Sequence, residues 1–194
     1  MIKSTPAKIT NEISDGLLTP SPDIHDGEIL EQRGKLDEAL VVYRRCIEPC
    51  NAKIAKFANG QSNNRAIDDR NTALQEISGL ALTFVMNGEF NKALEATDGA
   101  PLLMPSSPML YIRRAHALML LGKEQEARRL YLHWRKRRIG PEQTSEHVIL
   151  QGLQALRQTH PVNALMDEIE TLFSVPPAGD AASSPHPITE IVRW

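Results

Sequence analysis

Apolar side chains through the middle of the chain recur at helical spacing, not at the two-residue alternation of strands. Leu74, Ile77, Leu80, Ala81 and Phe84 predict a helix over about 69–86. Asn87-Gly88 ends it with residues that tolerate left-handed backbone. A second helix follows over 90–96 and is cut short by Asp98-Gly99-Ala100-Pro101. Ser106-Ser107-Pro108 opens the most apolar helix, 109–121. The next, 123–138, carries Ala127, Tyr131 and Trp134 on one side and stops at Gly140-Pro141. Val148, Leu150, Leu153 and Leu156 then face a last helix, 162–173, across Gln158-Thr159-His160-Pro161.

A second regularity lies on top of the helical one. Gly88 and Gly122 are 34 residues apart, each preceded by a small residue at seven (Ala81, Ala115) and followed by alanine at five (Ala93, Ala127). Gly27, Gly34 and Ala39 make a weaker copy, poor in its first helix because Asp26 and Gly27 are weak helix formers. Gly34 and Gly88 are 54 residues apart, so about 20 residues, roughly 51–70, are extra. Ile47, Ile54 and Phe57 predict that the helix before them continues past Pro49 with a kink, and 59–64 reads as a loop. Gly152 and Ala164 stand 12 apart, as Ala81 and Ala93 do, but Thr159 replaces the turn glycine. The small residues have a packing role, since paired helices cross closely only over small side chains. A larger group at Ala115 would overpack that crossing by ~1–3 kcal/mol.

With this 34-residue helix–turn–helix unit the chain resembles the tetratricopeptide-repeat family over roughly 23–173. The resemblance implies an all-α fold: a right-handed α-solenoid of antiparallel helix pairs, about three to four repeats, whose first helices line a concave side. Some bacterial members have long second helices, and 51–70 looks like that variety. Thr97 stands where the family has an aromatic, which implies weaker packing there. The resemblance also implies the groove-facing positions. They are Gln75, Ser78, Leu82, Val85 and Met86, then Met109, Ile112, His116, Met119 and Leu120, then Ile149, Leu153, Leu156 and Arg157. A carboxylate-clamp groove would need lysine, asparagine and arginine; only Arg157 fits, so that subtype is set aside. The apolar set suits an amphipathic helix or an apolar peptide, with methionines adding adaptability. The expected function is a protein–protein interaction scaffold or adaptor. The alternatives are a small secretion- or assembly-type chaperone and a homodimer in which self-contact closes the groove. The N-terminal arm or the C-terminal tail is a further candidate to fill it.

The ends differ in composition. Residues 1–22 are polar and broken by Gly16, Pro20 and Pro22, predicting a flexible arm. Residues 174–194 read as a flexible tail rich in Pro, Ala and Ser that ends in an apolar tip of Ile188, Ile191, Val192 and Trp194.

Composition narrows the chemistry. A net charge of −2 gives no global pull toward nucleic acid, and no apolar run approaches the ~20 residues a bilayer span needs. Two cysteines and no signal-like start predict a reducing, cytoplasmic setting. Arg128, Arg129, Arg135, Lys136, Arg137 and Arg138 form a basic cluster that reads better as a solvated helix end than as a nucleic-acid contact. Cys46 and Cys50 lack further ligands for a metal and read as buried thiols. His25, His116, His133, His147, His160 and His186 show no ligand spacing, and His116 reads as a packing histidine in the groove. The neighbouring carboxylates Asp68-Asp69 and Asp167-Glu168 point apart on a helix. No nucleophile elbow or phosphate loop is present. The expectation is a non-enzymatic protein with no metal and no cofactor.

Overall fold

Gly34, Gly88 and Gly122 have φ of 73°, 79° and 78°, and each ends a helix in the same way. The glycine N–H donates to the carbonyl three residues back (Glu31, Val85, Met119), and the next N–H donates to the carbonyl five back (Leu30, Phe84, Leu118). This is the Schellman motif, whose left-handed residue only glycine adopts without cost. It recurs at the three turns that carry the repeat glycine.

The computed structural model describes residues 23–56, 64–98, 107–139, 143–161 and 163–174. Among these residues the helices are α1 (Ile24–Gln32), α2 (Leu36–Lys56), α3 (Asn64–Met86), α4 (Phe90–Thr97), α5 (Pro108–Leu120), α6 (Glu124–Trp134), α7 (Ser145–Thr159) and α8 (Ala164–Ser174). There is no strand among the described residues, only one isolated antiparallel bridge between Arg138 and Thr144. The predicted arm 1–22, the tail 175–194 and the loop residues 59–63 lie outside the described residues. Ser174 belongs to α8 and Asn64 to α3, one residue inside each predicted flexible segment.

From α1 to α6 each helix packs against the next, and α7 packs against α8. Helices α1, α3, α5 and α7 also contact one another in that order, as do α6 and α8. The core runs the length of this arrangement through Tyr43, Ile77, Leu80, Phe84, Leu110, Met119, Tyr131, Ile149 and Leu156. The small residues sit at its crossings: Ala39, Ala81, Ala93, Ala115 and Ala127 are each 0% exposed.

Gly27 is buried for a reason its weak helix propensity conceals. A Cβ built on it would stand 2.3 Å from the Tyr43 ring. The Tyr43 hydroxyl donates to Glu31 (3.2 Å), so the aromatic is held across α1. Thr97, at the place equivalent to Tyr43, is also buried, and its hydroxyl donates to the Ala93 carbonyl (3.1 Å). Arg114 reaches across to Asp98 (2.7 Å) and the Leu94 carbonyl (3.3 Å), so α4 and α5 are joined by polar bonds where the other units use a ring.

Three expectations are corrected. The extra residues do not simply lengthen one helix: α2 continues through Pro49 to Lys56, and α3 begins at Asn64, so both helices take part. Helix α6 ends at Trp134, not at 138. The chain beyond it turns so that the Arg137 carbonyl accepts from both the backbone N–H (2.8 Å) and the hydroxyl (2.7 Å) of Ser145. Ala164 is exposed and packs no crossing. With no glycine at Thr159, α7 runs to that residue and α8 starts at Ala164, capped by the Asn163 carboxamide, which accepts from Leu165 N–H (2.7 Å). Ala93 and Ala127 are fourth in their helices, whereas Ala164 is first; Leu165, Met166 and Ile169 take the buried places instead.

Candidate functional site

The residues expected on the inner face lie on α3, α5 and α7, and most are buried within the chain. Val85, Ile112, His116, Met119, Ile149, Leu153 and Leu156 are 0–1% exposed, and Ser78 is 5% exposed. Leu82, Met86, Met109, Leu120 and Arg157 are half-buried, and Gln75 is exposed. The helical pattern therefore places these residues on one side, but the side is covered over much of its length.

The cover is α7 and the turn after it. His160 Nε2 donates to the Val85 carbonyl (2.9 Å), and its ring stands edge-on to Phe90 at 5.4 Å. Thr159 hydroxyl approaches Met86 sulfur (3.9 Å), and Asn163 donates to the Met119 carbonyl (3.4 Å). The α7–α8 turn thus closes over the C-terminal ends of α3 and α5. Arg157, the one clamp-like residue, is spent internally on Asp167 and Glu170 of α8, which hold its guanidinium charged.

His116 sits at the centre of this closure. Its Nδ1 shares a hydrogen bond with the Tyr131 hydroxyl (2.6 Å), whereas Nε2 has no partner among the described residues and lies against Gly152. Burial, with the Arg113 charge second, pushes its pKa down to about 3, so the ring is neutral. Burial likewise raises Tyr131 well above its ordinary range. One ring nitrogen is thus satisfied by Tyr131, and the other is unpartnered among the described residues.

Arg113, one turn before His116 on α5, carries no sequence signal: a cation beside Arg114 reads as solvated helix surface. In the structure it is half-buried, its Nε is buried, and it has no hydrogen bond or carboxylate among the described residues. Burial pushes its guanidinium pKa down. Its neighbours are compensated, Arg114 by Asp98, Arg128 by Glu168 and Arg135 by Glu146.

The remaining candidates have structural surroundings. In the basic cluster Arg135 also stacks on the Phe173 ring (4.7 Å) and Arg137 lies over Trp134 (5.8 Å). Cys46 and Cys50 are buried thiols outside any disulfide; burial pushes Cys46 up to about 11 and raises Cys50. Glu76 is raised by burial and by Glu31 and Glu28. No group of three or more His, Cys, Asp or Glu able to hold a metal occurs among the described residues, and none of their helices is long and apolar enough to cross a membrane. No protein-family model matches the chain, and neither does any curated protein or solved structure compared with it.

Proposed function

We propose that the chain is a tetratricopeptide-like α-solenoid that works as a protein–protein interaction scaffold or adaptor. Its partner is a peptide or amphipathic helix carrying apolar side chains, taken up without catalysis. The observation that carries this reading is the recurrence of one unit: a small buried residue, a Schellman glycine and a buried alanine, three times over, in helices that pack in chain order. Stacked helix pairs of this kind serve as extended binding surfaces. The part of the inner face left for a partner is the α3 side, where Gln75 is exposed and Leu82 half-buried.

The test is partner recovery by pull-down from native-host extract, followed by Leu82→Glu. Leu82 is half-buried, so the charge is tolerated; recovery is expected to fall at least tenfold with helicity unchanged. Undiminished recovery overturns the assignment. Met119→Glu is the folding control, since Met119 is fully buried and an unpaired carboxylate there is expected to cost the fold.

A further inference from the structure

The accessible inner face carries two features that folding alone does not explain. Gly79 lies inside α3, a 23-residue helix, exposed, with nothing among the described residues within 4 Å of a Cβ built on it. No neighbour requires a glycine there, and glycine weakens a helix interior relative to alanine or glutamine. What it supplies is bare backbone, open to the close approach of another chain. Arg113 lies 34 residues later, at the equivalent place on α5, and α3 packs against α5. The two therefore hold the same place in their repeat units, on helices that pack together. Arg113 is a half-buried cation whose buried Nε has no hydrogen bond and which has no carboxylate partner among the described residues, and a guanidinium of this kind gains from an incoming anion. Ser78, beside Gly79, is buried with its hydroxyl unpartnered among the described residues, and Leu82 supplies apolar surface one turn on.

We propose that α3 and α5 form a docking strip for an acidic peptide segment. The peptide backbone lies against Gly79, an apolar side chain rests on Leu82, and a carboxylate pairs with Arg113. This deepens the scaffold reading and rests on it: it names the chemistry of the partner. An apolar peptide alone would leave Arg113 desolvated and unpaired, which costs affinity, whereas a carboxylate is held by a charge-assisted and directional bond.

The test uses the full chain, immobilised, to select from a phage library of random 12-residue peptides. Affinities of the selected peptides are then measured by fluorescence polarisation. The wild type is expected to enrich peptides with Asp or Glu next to a bulky apolar residue. Arg113→Gln is expected to erase the acidic preference and weaken those peptides at least tenfold. Gly79→Gln is expected to abolish binding while raising the melting temperature, because it improves the helix and fills only the strip. That pair of readouts separates docking from unfolding. The proposal is overturned if the wild type enriches no peptides, if the enriched peptides carry no acidic preference, or if they bind Gly79→Gln as well as wild type. The scaffold reading survives those failures if Leu82→Glu still loses a native partner, and falls on its own if that variant keeps it.

Discussion

The imidazole of His116 rests on the backbone of Gly152, so close that a Cβ on residue 152 would stand 2.4 Å from Nε2. His116 is 0% exposed and tied to Tyr131, so it has no free direction in which to yield. Gly152→Ala should therefore destabilise the protein by ~1–3 kcal/mol, despite alanine's better helix propensity. Gly27→Ala, which would meet the Tyr43 ring at 2.3 Å, should behave the same way. Gly79→Ala, with open space around it among the described residues, should instead stabilise by about 1 kcal/mol. Urea denaturation of the three variants reads the contrast directly; three shifts of one sign would show that these glycines are not distinguished by their contacts.

His116 also predicts a pH dependence. Its folded pKa, about 3, lies below the ordinary value of 6.5, so the unfolded chain binds a proton that the folded chain refuses. The sign follows from linkage: the stability tied to the neutral ring is complete above pH 6.5 and is lost as pH falls toward 3, at up to ~1.4 kcal/mol per pH unit. His116→Leu removes the titrating group. Wild type should lose unfolding free energy relative to the variant as pH falls from 7 to 4, and a difference that stays constant with pH would refute the assignment.

The turn glycines should be costly to replace. At φ of 73–79°, alanine at Gly34, Gly88 or Gly122 pays the left-handed penalty of roughly 1–2 kcal/mol. Asparagine, which tolerates that region, should cost less at the same sites. Thermal melts of each Ala/Asn pair test this, with equal losses counting against the turn geometry as the cause.

The thiols give a conformational readout. Cys46 and Cys50 are 7% and 6% exposed and held protonated by burial, so an aromatic disulfide reagent at pH 8 should label both slowly in the native protein and both at once in denaturant. Rapid native labelling would mean that α2 opens around them.

The expected inner face was legible as a row of residues but not as a surface. The helical period puts Ile112, His116, Met119 and Leu120 on one side of α5, yet whether that side meets water depends on where α7 lies. The contacts that decide it span 75 residues, as between His160 and Val85. Arg113 carries no sequence signal for the same reason. Beside Arg114 it looks like one more cation on a helix, and the lack of a carboxylate around it among the described residues sets it apart from Arg114. The Ala164 position shows the limit from the other side: counting twelve from Gly152 assumes a glycine turn, and without one the helix start shifts and the count lands on solvent.

Local chemistry and spacing determined the helices, the three glycine turns and the small residues at the crossings. Those features depend on backbone conformation and side-chain size within a few residues of each other, which a linear pattern records. The tertiary structure alone decided why Gly27 and Gly152 must be glycines, that the α7–α8 turn covers the C-terminal ends of α3 and α5, and that Arg113 has no counter-charge among the described residues. Each of these is a statement about which groups meet across the fold. Burial and electrostatic pairing act through space, so residues far apart in the chain set the outcome.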